Sequence, residues 1–224
     1  MKTVILIPAR LASTRFPEKM LQPLFDKPLI KHVYDKCKKS GYDTFVLTDS
    51  KKIASIIPDA VLTGPAENGT ERCSWYVNNV PESQKYNYFI NVQGDMPDIT
   101  LDIIDKCKQN LERHNVSTVY TSMPKEKQND PNSVKMIRAD DKALWFGRGM
   151  TGYGDWHLGV YGYTRHALEI YTNLQFTQEE KIEQLEQLRW LKNGWQIGCL
   201  NVQYNGTEIN TPEDLQEWHN KNSH

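Results

Sequence analysis

The chain has 224 residues, of which 38% are hydrophobic and 25% charged, so it can build one large domain with a real core and is not expected to be disordered. A formal net charge of −1 argues against a general nucleic-acid binder. The four cysteines are scattered without a CxxC pair, which favours reduced thiols in a cytoplasmic protein over a disulfide scaffold or a zinc site. The apolar run at residues 4–7 is too short for a signal peptide or a membrane helix, so we expect no membrane insertion.

Strand and helix signals alternate through the first half of the chain. Short apolar or β-branched runs predict strands at residues 3–7, 44–48, 60–62, 88–92 and 117–123. Helical spacing and capping residues predict helices over residues 29–37, 51–57, 71–80 and 101–114. This order predicts a parallel sheet with helices on both faces.

The second half of the chain has a different pattern. Short strands are predicted at residues 134–138 and 143–146 around the hairpin signal Asp140-Asp141, and further strands at 157–163 and 196–202. The apolar spacing of Ile182, Leu185, Leu188 and Leu191 predicts one long amphipathic helix over residues 179–193. Thr211-Pro212-Glu213-Asp214 predicts a helix start with Thr211 as the N-cap. No linker divides the chain, so we expect a single domain.

The first strand leads into a loop rich in cations and hydroxyl groups. Pro8 is expected to end the strand, and the loop then carries Arg10, Ser13, Thr14, Arg15 and Lys19. Because ligands of α/β proteins bind at the carboxyl ends of the strands, this loop is a candidate polyphosphate site. The sequence has no glycine-rich phosphate loop of the Walker or dinucleotide type, so side-chain cations and loop amides would hold the phosphates. An ordinary solvated loop is the alternative.

A second candidate follows the strand at residues 88–92. Asp95 comes directly after it, at the same edge of the sheet as the basic loop, and Gly94 allows a close backbone approach. A carboxylate beside a polyphosphate is a suitable ligand for Mg²⁺, which takes one or two carboxylates and completes its shell with phosphate oxygens and water. The alternative is that Asp95 is only a turn or cap residue before Pro97.

Three further segments are ambiguous by themselves. Residues 67–72 could be a plain helix N-terminus or, with Arg72, a site for an anion or a base edge. His157 and Tyr161 fall on the same side of a strand, where they could belong to the core or face a ligand. The long helix would carry an acidic face, by default solvated, made of Glu180, Glu183, Glu186 and Gln187.

Several motifs in one order resemble the CMP-Kdo synthetases, the cytidylyltransferases that activate the eight-carbon sugar acid Kdo for lipopolysaccharide. The resemblance spans nearly the whole chain and rests on residues 7–15, 69–72, 91–95, 131–135, 157–163, 182–189 and 211–214. Any one of these motifs would be weak evidence, whereas their common order is specific. It implies an α/β fold of the nucleotide-diphospho-sugar transferase type. The implied fold is a single domain over residues 1–224, with a mixed, mostly parallel sheet flanked by helices and a lid or dimerisation insertion near 134–165.

The resemblance also implies the chemistry and the residues that perform it. The anomeric hydroxyl of Kdo, or of a close 3-deoxy sugar acid, would attack the α-phosphorus of CTP and release pyrophosphate in a cytoplasmic, Mg²⁺-dependent homodimer. The implied nucleotide-binding residues are Pro8, Ala9, Arg10, Ser13, Thr14, Arg15, Lys19, Gly69, Thr70, Arg72 and Gln93. The implied sugar-binding residues are Gln93, Arg148, His157, Tyr161, Glu186 and Gln187. Arg10, Lys19 and Asp95 would be catalytic, and Asp95 and Asn210 would hold the metal.

Three features depart from the family pattern. Asn210 stands where the family has an aspartate before Thr-Pro-Glu-Asp, and the missing charge should weaken metal binding. Met96 stands where the family usually has an acidic residue, and the segment between Arg148 and His157 is short. Two alternatives therefore stay open: a cytidylyltransferase for a nine-carbon, sialic-like acid and a catalytically weak nucleotide-binding homologue. The motif at residues 182–189 favours the Kdo branch.

Overall fold

The computed structural model of the protein describes residues 1–12 and 16–223, in which a mixed sheet of nine strands is flanked by helices. The strands are β1 (Thr3–Ala9), β2 (Pro23–Leu24), β3 (Lys27–Pro28), β4 (Asp43–Thr48), β5 (Ala60–Leu62), β6 (Tyr88–Asn91), β7 (Val116–Thr121), β8 (Lys135–Ala139), β9 (Lys142–Gly147), β10 (Asp155–Thr164) and β11 (Ile197–Asn201). The helices are α1 (Leu29–Lys38), α2 (Lys51–Ala54), α3 (Gly69–Asn79), α4 (Leu101–Gln109), α5 (Arg165–Ile170), α6 (Gln178–Glu183), α7 (Leu188–Lys192) and α8 (Pro212–Asn222).

The spatial order of the large sheet is β5-β4-β1-β6-β10-β7-β11-β9-β8, and β2 and β3 form a separate small ribbon. The strands β5, β4, β1 and β6 are parallel, as their alternation with helices predicts. The long strand β10 runs antiparallel between β6 and β7, and the β8–β9 hairpin forms the far edge. The prediction of a mixed sheet in one α/β domain is confirmed.

Strand β1 lies inside the sheet and is buried on both faces. Ile5 and Ile7 pack into the hydrophobic cluster that contains α1 and α4, whereas Val4 and Leu6 pack into the cluster that contains α3 and α5. Because a strand covered on both faces needs apolar side chains at successive positions, this burial explains the apolar run at residues 4–7. The prediction that Pro8 ends the strand is wrong, because β1 continues to Ala9 with Pro8 opposite Leu47. A proline at the next-to-last position removes only one amide donor from the ladder.

Local capping signals were reliable. Thr100 accepts a hydrogen bond from the Ile103 amide at 3.4 Å at the start of α4. At the start of α8, Thr211 and Asp214 form the predicted capping box. The hairpin loop between β8 and β9 consists of Asp140 and Asp141, as predicted. These interactions lie within a few residues of one another, so the local sequence is sufficient to specify them.

The single long helix predicted over residues 179–193 is wrong. Helix α6 ends at Glu183, the next residue, Gln184, has a left-handed φ of 54°, and α7 begins only at Leu188. The side chain of Ile182 is consequently 69% exposed instead of packing with Leu185 and Leu188. The turn directs Glu186 toward the start of α3, where it forms hydrogen bonds that a continuous helix would not allow. The predicted acidic helical face therefore does not exist.

None of the helices in the described part of the chain combines the length and the apolar character that a membrane span needs. The four cysteines are all free and buried, which agrees with the reduced thiols expected from their spacing.

Candidate active site

A polar cavity of about 660 Å³ opens where β1 and β6 end and β10 crosses the sheet. Most of the residues predicted for the site line this cavity: Pro8, Ala9, Arg10, Lys19, Gly69, Arg72, Gln93, Asp95, Arg148, His157, Tyr161, Glu186, Gln187 and Asn210. Thr70 is completely buried behind the wall, and Ser13, Thr14 and Arg15 lie outside the described residues. The fold thus brings together segments that are far apart in the chain, as expected for the carboxyl edge of an α/β sheet.

At one end of the cavity, Lys19 and Asp95 form an ion pair with a distance of 2.6 Å between Nζ and Oδ2. Lys19 begins a short 3₁₀ turn that buried Met20 anchors in the core. Gly94 permits the close approach of this turn, because a Cβ at Gly94 would lie only 2.8 Å from the sulfur of Met20. Arg10 lies exposed on the same cavity wall. This end therefore presents two cations and a carboxylate, which suit a polyphosphate and its counter-ion.

A second carboxylate, that of Glu208, faces the same cavity. The Ile209 amide donates a 2.9 Å hydrogen bond to the Asp95 carbonyl, which fixes this segment beside Asp95. Burial, followed by the negative charge of Asp95, raises the pKa of Glu208 to about 7, although nearby cations partly oppose these effects. The sequence interpretation missed Glu208, although it stands two residues before Asn210 and an alternating segment would place both on one side.

The N-terminus of α3 binds a carboxylate of the chain itself. Glu186 accepts hydrogen bonds from the Thr70 hydroxyl at 2.9 Å and the Thr70 amide at 3.3 Å. The Thr70 hydroxyl has one proton and donates it to Glu186, so the neighbouring Tyr163 hydroxyl, at 2.7 Å, donates to Thr70. Burial raises the pKa of Glu186, and the hydrogen bonds from Thr70 and Gly69 oppose this shift. The predicted anion site at this helix start is thus filled by Glu186.

Arg72 is buried and its guanidinium is engaged within the protein. Nη2 donates to Asp49 at 2.9 Å, while Nη1 donates to the Gly64 carbonyl at 3.3 Å and to the Thr63 hydroxyl. These contacts tie α3 to the segments that follow β4 and β5. Arg72 therefore stabilises the cavity wall through hydrogen bonds within the protein.

The imidazole of His157 is neutral, and its tautomer follows from its contacts. The Thr118 hydroxyl donates its proton to the Val160 carbonyl at 2.8 Å, so it must accept the hydrogen bond that joins it to His157 Nε2 at 2.9 Å. Nε2 therefore carries the proton and Nδ1 keeps a lone pair, to which no described residue donates. Burial, aided by the charge of Arg148, lowers the pKa of His157 to about 3. The cavity thus receives a hydrogen-bond acceptor here and not an imidazolium ion.

Gln187 lines the cavity, and its buried side-chain amide is unsatisfied. Its side chain is 1% exposed, and neither its Oε1 nor its Nε2 has a hydrogen-bond partner among the described residues. A buried amide without partners costs about 1–3 kcal/mol, so such a group is informative when it lines a cavity. The arrangement is suited to a ligand that both donates and accepts hydrogen bonds.

Hydrogen bonds hold Arg148 on the wall of the cavity. Its amide donates to Glu183 at 2.7 Å, and its guanidinium donates to the Asn132 carbonyl at 3.1 Å. The fully buried Lys135 donates to the Asp130 carbonyl at 2.5 Å and to the Arg148 carbonyl at 3.4 Å. The structure therefore fixes the backbone of the segment that carries Arg148, leaving a cation in the cavity near neutral His157.

The described residues contain no group of three or more histidine, cysteine, aspartate or glutamate side chains that could hold a metal ion. The cavity does contain Asp95 and Glu208, with the amide of Asn210 beside them. This donor set consists only of oxygen atoms and is incomplete without a ligand. It fits a hard cation that shares its coordination with phosphate oxygens and water.

Comparison with known proteins gives the same picture over the full chain. A family model described as Cytidylyltransferase matches residues 4–197. The chain is 37% identical to a 3-deoxy-manno-octulosonate cytidylyltransferase from a Nitratiruptor species, covering 96% of this chain and 97% of the relative. It is 35% identical to an 8-amino-3,8-dideoxy-manno-octulosonate cytidylyltransferase from Shewanella halifaxensis, covering 96% of each.

A solved structure of CMP:2-keto-3-deoxy-manno-octonic acid synthetase complexed with CTP is also similar. Its TM-score with this protein is 0.88 at 28% sequence identity, and the match covers 100% of this chain and 99% of that chain. Since the order of the sequence motifs, the cavity they build and these relatives agree, the chain belongs to the 3-deoxy-manno-octulosonate cytidylyltransferase family.

Proposed function

We propose that this enzyme transfers the cytidylyl group of CTP to 3-deoxy-manno-octulosonate or a close 3-deoxy sugar acid. The anomeric oxygen of the sugar forms a bond to the α-phosphorus, the bond to the β-phosphate oxygen breaks, and pyrophosphate leaves. The observation that carries this proposal is one cavity lined both by a charged group, made of Arg10, Lys19 and Asp95, and by neutral hydrogen-bonding side chains, Gln187 and His157.

The charged group would bind the triphosphate. Arg10 and Lys19 would neutralise phosphate charge, with Gly69 and Gln93 on the wall beside the nucleoside. In-line displacement at phosphorus needs positioning and charge neutralisation more than covalent chemistry by the protein. No dedicated base is required from the chain for this proposal, and Arg72 would act by bracing the wall instead of contacting the phosphates.

We infer that the resident cation is Mg²⁺. Asp95 would hold it, and Asn210, which lines the same cavity, would offer a neutral carbonyl oxygen. When bound, the ion would stabilise negative charge on the phosphates and on the departing pyrophosphate.

The part of the cavity lined by Gln187 and His157 would bind the sugar acid. Arg148 suits the carboxylate of the sugar, since a guanidinium matches a carboxylate in charge and shape. The lone pair on His157 Nδ1 suits a sugar hydroxyl, and Gln187 can donate and accept at once. Tyr161 lines the wall between them. The Glu186 carboxylate is engaged by α3, so it would contact the sugar only through its remaining lone pairs.

The assembly and location of the enzyme are also proposals. A homodimer formed through an insertion near residues 134–165, which would also act as a lid, fits the family resemblance, as does a cytoplasmic enzyme. Light scattering on the purified protein measures the oligomeric state, and a monomer at micromolar concentration would contradict the dimer.

The proposed reaction is tested by pyrophosphate release from CTP and Mg²⁺ with a panel of sugar acids. The panel contains 3-deoxy-manno-octulosonate, its 8-amino analogue and a nine-carbon sialic acid. We expect fast release with one or both eight-carbon acids and only background release with the sialic acid. Preference for the sialic acid would favour the first alternative, and release with none of the acids would favour a catalytically weak homologue.

A further inference from the structure

We propose that Glu208 supplies the second carboxylate of the metal site and so replaces the charge that Asn210 lacks. This inference rests on the proposed function, because it concerns the ion that would accompany CTP. The geometry that points to it is the position of Glu208 beside Asp95 on the wall of the cavity.

The segment before α8 alternates between the core and the cavity. Ile209 is completely buried in the hydrophobic core, whereas Glu208 and Asn210, on either side of it, are partly exposed and line the cavity. The hydrogen bond from the Ile209 amide to the Asp95 carbonyl, at 2.9 Å, holds both neighbours at the level of Asp95. In extended chain these neighbours are about 6.6 Å apart, and a glutamate side chain is one methylene longer than an asparagine. A carboxylate at position 208 can therefore reach toward a cation in front of Asp95.

Glu208 also differs from Asp95, Glu180 and Glu186 of the same cavity, each of which has a partner among the described residues. Glu180 forms a buried bidentate pair with Arg189, at 2.7 and 2.9 Å, and Glu186 accepts hydrogen bonds from α3. No described residue donates a hydrogen bond or forms an ion pair with Glu208 within bonding distance. A partly buried carboxylate beside another carboxylate is costly unless a cation joins them.

A further unsatisfied group lies near this pair. The Tyr204 hydroxyl is buried without a hydrogen-bond partner among the described residues. Burial raises its pKa, and the nearby charges of Glu208, Asp98 and Asp95 raise it further. A bound divalent ion with its water molecules would bring hydrogen-bond donors and acceptors to this polar pocket. Asp95 and Glu208 together provide two carboxylates. Mg²⁺ commonly uses one or two carboxylates when phosphate completes its coordination.

The test measures metal binding directly, without turnover. Binding of Mn²⁺ to the full-length protein, in the presence of a non-hydrolysable CTP analogue, is followed by electron paramagnetic resonance. We expect Glu208→Gln to weaken Mn²⁺ binding by about tenfold or more, and the double variant Glu208→Gln/Asn210→Asp to restore it to within about threefold of the parent. The control Glu217→Gln removes an exposed carboxylate of α8 and should leave Mn²⁺ binding unchanged.

The outcomes separate this inference from the proposed function. If Glu208→Gln binds Mn²⁺ like the parent while Asp95→Asn does not, the inference is wrong and the metal site of the proposed function stands. If the parent binds no Mn²⁺ with the CTP analogue, both fail. Thermal unfolding establishes that each variant is folded; should Glu208→Gln not fold, Glu208→Asp serves instead, because the shortened carboxylate should weaken Mn²⁺ binding and an unchanged affinity would overturn the inference.

Discussion

The ammonium group of Lys19 donates a 2.6 Å hydrogen bond to Oδ2 of Asp95, across 76 positions of the chain. Both side chains are largely withdrawn from solvent, with 13% and 20% of their surface exposed. The contact fixes the orientation of the carboxylate and leaves its other oxygen, Oδ1, for a cation. Lys19 would bind phosphate and Asp95 a metal. We therefore expect the loss of either side chain to weaken the binding role of the other.

The first prediction concerns this carboxylate. Asp95→Asn should reduce turnover by about a thousandfold or more, because metal stabilisation of the departing pyrophosphate is worth several kcal/mol. Pyrophosphate release at saturating CTP and sugar acid measures the effect, and far-ultraviolet circular dichroism monitors the fold. Asp102→Asn, on the exposed first turn of α4, is the matched control and should retain activity. Turnover of the Asp95 variant within a fewfold of the parent would refute the metal role.

The second prediction concerns the choice of nucleotide. The family resemblance at Arg10, Gly69 and Gln93 implies a site for cytidine, so CTP should bind more tightly than ATP or GTP. Calorimetric titration with the four ribonucleoside triphosphates, in the presence of Mg²⁺, provides the comparison. A purine nucleotide that binds as tightly as CTP would contradict this prediction, even if the enzyme released pyrophosphate from CTP.

The third prediction uses the unsatisfied amide of Gln187. Gln187→Leu keeps the volume of the side chain and removes both polar atoms, so the KM for the sugar acid should rise by about tenfold or more while the KM for CTP changes little. The same change should stabilise the unliganded protein by about 1 kcal/mol, since a buried amide without partners is lost.

The opposite signs of these two effects make the test specific. Steady-state kinetics with each substrate varied in turn gives the KM values, and urea unfolding gives the stability. Gln216→Leu, on α8, is the control for a glutamine outside the cavity. A loss of stability together with an unchanged KM for the sugar acid would assign Gln187 to the core.

The fourth prediction concerns stability at acidic pH. Burial lowers the pKa of His157 to about 3 in the folded protein, whereas the unfolded chain has a value of about 6.5. Between these pH values, His157 binds a proton in the unfolded state but not in the folded state. The contribution of neutral His157 to the free energy of unfolding is therefore complete above about pH 6.5 and is lost as the pH falls toward 3. At pH 5 the loss should be about 2 kcal/mol.

His157→Gln isolates this effect, because the glutamine amide can still donate to Thr118 but does not titrate. The free energy of unfolding in urea, measured from pH 7.5 to pH 4.5, should therefore fall less steeply in the variant than in the parent. Parallel curves for the two proteins would show that the imidazole is protonated in the folded state over this range.

The sequence by itself determined the local structure and the order of the site motifs. The apolar run of β1, the caps Thr100 and Thr211, and the two-residue hairpin loop depend on contacts over a few residues, and all were predicted correctly. Most predicted site residues line the cavity because parallel strands present their carboxyl ends at one edge, a rule that needs no knowledge of the packing.

The tertiary structure decided what depends on distant partners. Periodicity alone could not show that the helix breaks at Gln184, because the break is favoured by hydrogen bonds that Glu186 accepts from Thr70 of α3, 116 positions away. The neutral tautomer of His157 follows from Thr118 on a neighbouring strand. Glu208 lies beside Asp95 only because Ile209 is anchored to that backbone. These long-range hydrogen bonds and burial outweigh local propensity, which is the weaker term in the free energy of folding.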